Sequence, residues 1–250
     1  MTSSPSRASG RSWPFLRFGC LFQSMAPEER TVKERDIRTL FYTHLLGVFT
    51  IVATTFVPSF FLEKFSVLET HLTWLGICSA SVAALNVGFY FLIRPNPPAK
   101  RNSVSHKVSR FLKCCVYFLV SCTLFHLITV LYGAPLIESV LETFSFAVIL
   151  STYTTLPCLC VLGPNLHAWQ RVFSKNGASS IWDKSLQITT LTSVAGAWLG
   201  AFPLPLDWDR PWQVWPISCT LGATSGYAAG LLVSPLWIYR NRQRLTRKGS

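Results

Sequence analysis

The sequence predicts an all-α fold, a polytopic membrane bundle of six transmembrane helices with both termini cytoplasmic. Three observations lead there. Half of the 250 residues are apolar and only 14% are charged, against roughly 25% in an average soluble domain, and the mean hydropathy is +0.34. Six runs of 22 residues or more contain no Asp, Glu, Lys or Arg, and about 20 helical residues cross a hydrocarbon core about 30 Å thick. The 23 Lys and Arg, which leave a net charge of +12, fall almost entirely in alternate connections between those runs. A nucleic-acid binder would instead gather its bases on one soluble face, and the 14% aromatic content excludes disorder.

Residues 1–38 are expected to be a cytoplasmic tail. Residues 1–24 are rich in Ser and Arg, show no periodicity and are expected to be disordered; Met25 offers a second start that would omit them. Ala26 to Arg38 mixes four acids with four bases and reads as a short interfacial helix. The membrane domain, 39–239, opens with Thr39 to Leu62. This run is too long for a signal h-region and leads into Pro58 and aromatics instead of a small-residue cleavage site. The remaining spans are Thr70 to Ile93, Cys114 to Ile137, Thr143 to about Leu166, Ser185 to Leu206 and Pro211 to Tyr239, and 240–250 form a basic tail. The runs are about three times the usual strand length and lack period-two alternation, so helices are the reading.

Sorting charge by side gives the orientation. Twenty-one bases lie in the two tails and in the loops after the second and fourth spans, whereas Lys64 and Arg210 are the two on the opposite side. Glu63, Glu69, Glu138, Glu142, Asp207 and Asp209 all join those two. The positive-inside rule makes the basic side cytoplasmic, and an even number of spans returns the chain to it. The opposite turns are too short to enclose a soluble substrate.

Seven of the eight cysteines lie in spans and none forms a C-x-x-C pair, so they read as small packing residues. Cys114 and Cys115, beside Lys113, are candidates for S-palmitoylation. His126 is the midplane polar candidate; without a span carboxylate to pair with, a bond to a neighbouring helix competes with a functional role. His71 stands beside Glu69 and His44 near the cytoplasmic end of the first span. No H-E-x-x-H, G-x-S-x-G, phosphate loop or two-metal aspartate cluster occurs, so no catalytic residue, metal ligand or cofactor is assigned. Helix-packing chemistry is present instead. Gly196 and Gly200, and then Gly222, Gly226 and Gly230, recur at four-residue spacing, which lets helix backbones approach one another or a partner's helix. Asp207, Trp208, Asp209, Arg210 and Trp212, with Glu138 and Glu142, mark either an aromatic belt at the membrane surface or a lumenal platform for a partner or a lipid headgroup.

Several strings carry a resemblance: Thr70-His-Leu-Thr-Trp74, Leu112-Lys-Cys-Cys115, Leu131-Tyr-Gly-Ala-Pro-Leu-Ile-Glu138, Pro157-Cys-Leu-Cys160, Leu162-Gly-Pro-Asn165 and Asp207-Trp-Asp-Arg-Pro-Trp-Gln-Val-Trp-Pro216. From about Asp36 to Arg244 the chain resembles the phosphatidylinositol-glycan biosynthesis class F family. The resemblance implies a multi-pass endoplasmic-reticulum protein that binds and stabilises large GPI ethanolamine-phosphate transferase catalytic subunits, with no catalytic residue of its own. Arg247 and Lys248 resemble a dibasic retrieval signal. The alternative reading is a lipid-handling protein that binds or moves phosphatidylethanolamine or the GPI precursor; a small intramembrane transferase is a third.

Overall fold

The computed structural model describes residues 34–61, 66–93, 104–135, 137–174, 177–178, 180–206 and 208–247. Most of the N-terminal tail, Met25, Glu63, Lys64, the loop bases from Arg94 to Arg101, Lys175, Asp207 and Lys248 lie outside the described residues.

Among the described residues seven α-helices follow in order: α1 (Glu34–Phe61), α2 (His71–Ile93), α3 (Val104–Leu131), α4 (Val140–Leu162), α5 (Leu166–Phe173), α6 (Ile181–Ala201) and α7 (Ile217–Arg247). A 3-10 turn at Pro211–Gln213 precedes α7, and the described residues contain no strand. Five of the helices, α1, α2, α3, α4 and α7, are long and apolar enough to cross a membrane. The sixth expected span is α6, whose 21 residues would reach about 31 Å. Its Ser185, Gln187, Thr189, Thr190, Thr192 and Ser193 interrupt its apolar stretch.

The helix ends depart from the charge-free runs for local reasons. α3 begins ten residues before Cys114, because Lys107, Arg110 and Lys113 oppose burial in hydrocarbon without opposing helix. It stops at Leu131, six residues short of Ile137, where Gly133 takes φ +101° and its N–H bonds the Val130 carbonyl at 3.0 Å. α4 stops at Leu162, before Gly163 at φ +73°. The expected fourth span thereby loses Leu166 to α5, a short amphipathic helix that a search for charge-free runs cannot see. Asn165 caps it, its Oδ1 accepting from the His167 N–H at 3.1 Å and the Ala168 N–H at 3.4 Å. α6 starts with a reciprocal box between Ser180 and Asp183, which satisfies two otherwise unpaired N–H groups, and ends at Ala201 ahead of Pro203 and Pro205. α7 begins only at Ile217, after Pro216, and runs on to Arg247, well into the expected basic tail.

Packing closes five helices into a ring: α1 on α2, α2 on α4, α4 on α6, α6 on α7, and α7 back on α1, with the α6–α7 contact the most extensive. α4 is the most buried of the five apolar helices, with 67% of its most apolar stretch buried, whereas α3 lies outside the ring against α4 with 11% buried. The ring encloses Trp74, Leu75, Cys78, Ile149, Tyr153, Ala223 and Tyr227.

Two glycines separate the effects of backbone strain and open space. Gly163→Val must hold a β-branched residue in the left-handed region and meet the Arg110 guanidinium at 3.0 Å, so it should cost about 1–2 kcal/mol. Gly88 has nothing within 4 Å of an added Cβ, and Gly88→Ala should gain up to about 1 kcal/mol of helix propensity. Thermal unfolding in detergent should fall for the first and hold or rise for the second.

Candidate functional site

The closest approach in the bundle is the α6–α7 seam. A Cβ on Gly196 would overlap the Gly222 carbonyl oxygen and stand 3.0 Å from Gly226 Cα; one on Gly222 would overlap the Gly196 oxygen and stand 3.0 Å from Gly200 Cα. A Cβ on Gly200 would strike the Ser218 carbonyl, one on Gly226 the Thr192 carbonyl, and one on Gly230 the Thr192 hydroxyl. All five glycines therefore lie on the two facing sides of one helix pair, where backbone meets backbone.

That contact sets side chains on α7 against their partners. His44 on α1 has Nδ1 at 2.9 Å from the Leu231 carbonyl oxygen and 3.0 Å from Ser234 Oγ, and Nε2 at 3.0 Å from Ser185 Oγ on α6. A carbonyl only accepts, so Nδ1 carries the proton and Nε2 accepts from the Ser185 hydroxyl; Ser234 Oγ lies 3.2 Å from Ser185 Oγ and completes the chain. Leu231 is four residues before Pro235, which has no N–H to give it. His44 thus satisfies a carbonyl that the proline released, while joining three helices. Ser185 and His44 are spaced as a nucleophile and a base would be, yet Ser185 is buried and the imidazole proton is committed to a carbonyl, so the arrangement acts as a clamp.

Two further sets of bonds tie the ring. Tyr153 on α4 bonds Thr224 Oγ1 at 3.1 Å and Cys78 Sγ at 3.3 Å, and its ring stacks on Tyr227 at 4.4 Å between centroids. At the acidic end, His71 donates from Nδ1 to the Val67 carbonyl at 3.0 Å, and its Nε2 meets Thr220 Oγ1 at 2.9 Å. Outside the ring, Ser121 holds α3 to α4 through Ser151 Oγ at 3.1 Å and Thr155 Oγ1 at 2.6 Å.

His126, which the sequence set half-way along its run, stands five residues from the end of α3 at Leu131, about 7–8 Å along the helix. Its ring meets Phe144 edge-on at 5.9 Å, and its buried Nδ1 has no hydrogen-bond partner. Glu138 and Glu142 sit at the α4 N-terminus, and Trp215 Nε1–H donates to Thr143 Oγ1 at 3.0 Å. That bond brings the turn with exposed Trp208, Asp209 and Arg210 to the same end of the bundle. Trp208 and Trp212 pair edge-to-face at 6.0 Å, and Gln213 donates to the Pro203 carbonyl at 2.6 Å and to that of Leu206. The seven described cysteines are free thiols, and no three His, Cys, Asp or Glu among the described residues stand together as a metal cage.

Sequence reasoning missed the Ser185–His44–Ser234 clamp and the Tyr153–Tyr227 stack. Pro235 was the available signal for the first, since a proline inside a span always frees a carbonyl four residues earlier. The stack had none, because two aromatic residues 74 positions apart reveal nothing about sharing a face.

Residues 52–235 match the family described as GPI biosynthesis protein family Pig-F. The chain is 67% identical over 219 residues to the human protein named "GPI ethanolamine phosphate transferase, stabilizing subunit", covering 88% of this chain and 100% of that one. The Mus musculus protein of the same name is 68% identical over the same extent. A Schizosaccharomyces pombe PIGF/3-ketodihydrosphingosine reductase fusion protein is 39% identical over 127 residues, 51% of this chain and 25% of its own length. No solved structure matches.

Two substitutions test the seam and the clamp. Gly226→Leu drives a side chain into the Thr192 backbone and should destabilise the bundle by about 1–3 kcal/mol, the ordinary cost of overpacking, read as a lower unfolding temperature in detergent. His44→Ala strands the Leu231 carbonyl and should cost about 1–3 kcal/mol. His44→Asn keeps an N–H for that carbonyl but is too short to bridge to Ser185, so it should recover part of the loss.

Proposed function

The chain belongs to the Pig-F family of GPI-biosynthesis proteins, and from that membership we propose that it is a non-catalytic subunit that binds and stabilises a GPI ethanolamine phosphate transferase catalytic subunit in the endoplasmic-reticulum membrane. The observation that carries this reading is the match to the human stabilizing subunit along that protein's entire length. The geometry is compatible with it, since the polar side chains that bridge the ring helices are spent on holding the helices to one another.

The membrane arrangement proposed is six spans with both termini cytoplasmic. α6 counts as a span because it is locked along its glycine face to α7, and a helix so joined to a long apolar neighbour crosses with it. The weight of bases at one end then orients the bundle. On this reading 1–38 is a cytoplasmic tail, 39–239 the membrane domain and 240–250 the basic tail, with α7 projecting past the membrane surface. Gly196, Gly200, Gly222, Gly226 and Gly230 serve the internal seam. Glu138, Glu142, Trp208, Asp209, Arg210 and Trp212, with Asp207 beside them in sequence, are the lumenal residues that contact the partner beneath its catalytic domain. The lipid-handling alternative has less support, because the stacked Tyr153 and Tyr227 fill the centre of the ring where a route would run.

In cells lacking this chain, the catalytic subunit should fall several-fold in abundance and surface GPI-anchored proteins should fall with it. Re-expression should restore both, while the purified chain alone transfers no ethanolamine phosphate. A catalytic subunit that stays fully abundant and active without the chain rules the role out.

A further inference from the structure

We propose that α3 carries the docking seam for one transmembrane helix of the partner subunit, with His126 as its polar contact. The inference rests on the stabilising role proposed above and names the surface that performs it.

Three histidines lie in the spans. His44 and His71 each have both ring nitrogens engaged, whereas no described residue bonds either nitrogen of the His126 ring, and its Nδ1 is buried. A proton on Nδ1 would be a buried donor with nothing to accept it, so the proton belongs on Nε2, which is not among the buried unpaired atoms. An N–H with no partner in the described residues then stands in an apolar span, five residues from the helix end. Lipid chains offer it no acceptor, and an unsatisfied donor in hydrocarbon is costly. The other two buried unpaired atoms, Thr190 Oγ1 and Ser218 Oγ, belong to helices of the closed ring.

The residues around His126 are spaced as a helix-packing seam. Leu112, Leu119 and His126 recur every seven residues, and Val116, Thr123 and Val130 follow each by four, which is the spacing of the d and a positions of a heptad. Leu112, Val116, Leu119 and Thr123 are exposed, His126 and Val130 are half-buried, and the Thr123 hydroxyl is already spent on the Val120 carbonyl at 2.9 Å. His126 is therefore the polar group of the seam, and a lone polar side chain between membrane helices bonds across them and favours a partner that can answer it. α3 is also the least covered of the five apolar helices, with 11% of its most apolar stretch buried. The exposed Tyr42 and Phe49 on α1 have no buried unpaired polar atom beside them on that helix. The occupant of the α3 seam is thus one membrane helix, crossing at about 20°, that presents an acceptor at the depth of His126: a hydroxyl, an amide oxygen or a carboxylate.

The test uses the full-length chain co-expressed with the catalytic subunit in cells lacking the endogenous copy. His126→Leu should lower co-purified catalytic subunit at least five-fold, and the variant chain purified alone in detergent should melt at or above the wild-type temperature. His126→Gln, which keeps an N–H at that reach, should restore capture to within two-fold. A photo-cross-linker at Leu119 or Thr123 should join the catalytic subunit, and one at Phe49 should not. A lower melting temperature for His126→Leu alone, undiminished capture by it, or cross-links at Leu119 and Thr123 to lipid or to nothing would overturn the seam while leaving the stabilising role intact. A wild-type chain that captures no catalytic subunit at all would overturn both.

Discussion

The bundle depends on the backbone contact between α6 and α7. At Gly196 and Gly222 each carbonyl oxygen occupies the place where the other residue's Cβ would be. Inside a bilayer apolar surface gains nothing by leaving lipid, so helix association rests on close van der Waals contact and on bonds between helices. Five glycines on two facing stripes supply that contact over a length that one pair of small residues would not. α6 is the helix least able to enter a membrane unaided, because it carries the row Ser185, Thr189, Ser193. Those three are buried, and the Thr189 and Ser193 hydroxyls bond carbonyls of their own helix, Ser185 O at 3.0 Å and Thr189 O at 2.6 Å. The seam shields the polar row, and the row in turn gives α1 something to hold.

What α1 holds is set by a defect in α7. Pro235 removes one rung of the helix ladder and exposes the Leu231 carbonyl to an apolar interior. Only an imposed donor settles that carbonyl, and the imidazole of His44 does so while using its second nitrogen on α6. A polar pair would have joined two helices; an imidazole with two chemically distinct nitrogens joins three. At the other end of the bundle His71 bonds the Val67 carbonyl just ahead of its own helix and Thr220 on α7, joining two helices, and Tyr153 bonds Cys78 on α2 and Thr224 on α7. The ring is therefore closed by bonds that are individually modest but cannot be exchanged for water, because none is present at that depth.

Much of this was legible in the sequence. The absence of charge over 22 residues or more marks apolar helices directly, since the cost of burying a charge is what cleans the run. The same rule fails at boundaries, because helices end for reasons of backbone geometry. Gly133 and Gly163 adopt positive φ well inside charge-free sequence, and Lys107, Arg110 and Lys113 are helical although they are charged. α5 was hidden for the same reason: Leu166, Trp169 and Val172 are an amphipathic period too short to register beside a span. The glycine spacings were visible as packing signals, but whether they faced within the chain or outward was not, since spacing defines a stripe and says nothing of what lies against it. The pairing of His44 with Ser185 joins positions 141 residues apart, and only the folded ring brings them together.

A subunit that stabilises another must be firm where it meets itself and unfinished where it meets its partner. The ring of α1, α2, α4, α6 and α7 has the first property, its helices being bonded to one another through His44, His71 and Tyr153. α3 has the second: it packs on α4, where Ser121 bonds Ser151 and Thr155, with Phe125 against the core and Tyr117 against Trp169, while Leu112, Val116, Leu119 and Thr123 stay exposed. A partner can meet that exposed side without displacing a ring helix. Self-contact and partner contact are thereby assigned to different helices. The chain can keep its own fold while α3 settles against a second membrane protein, and the stability it lends is the stability of a preformed surface that the partner does not have to build.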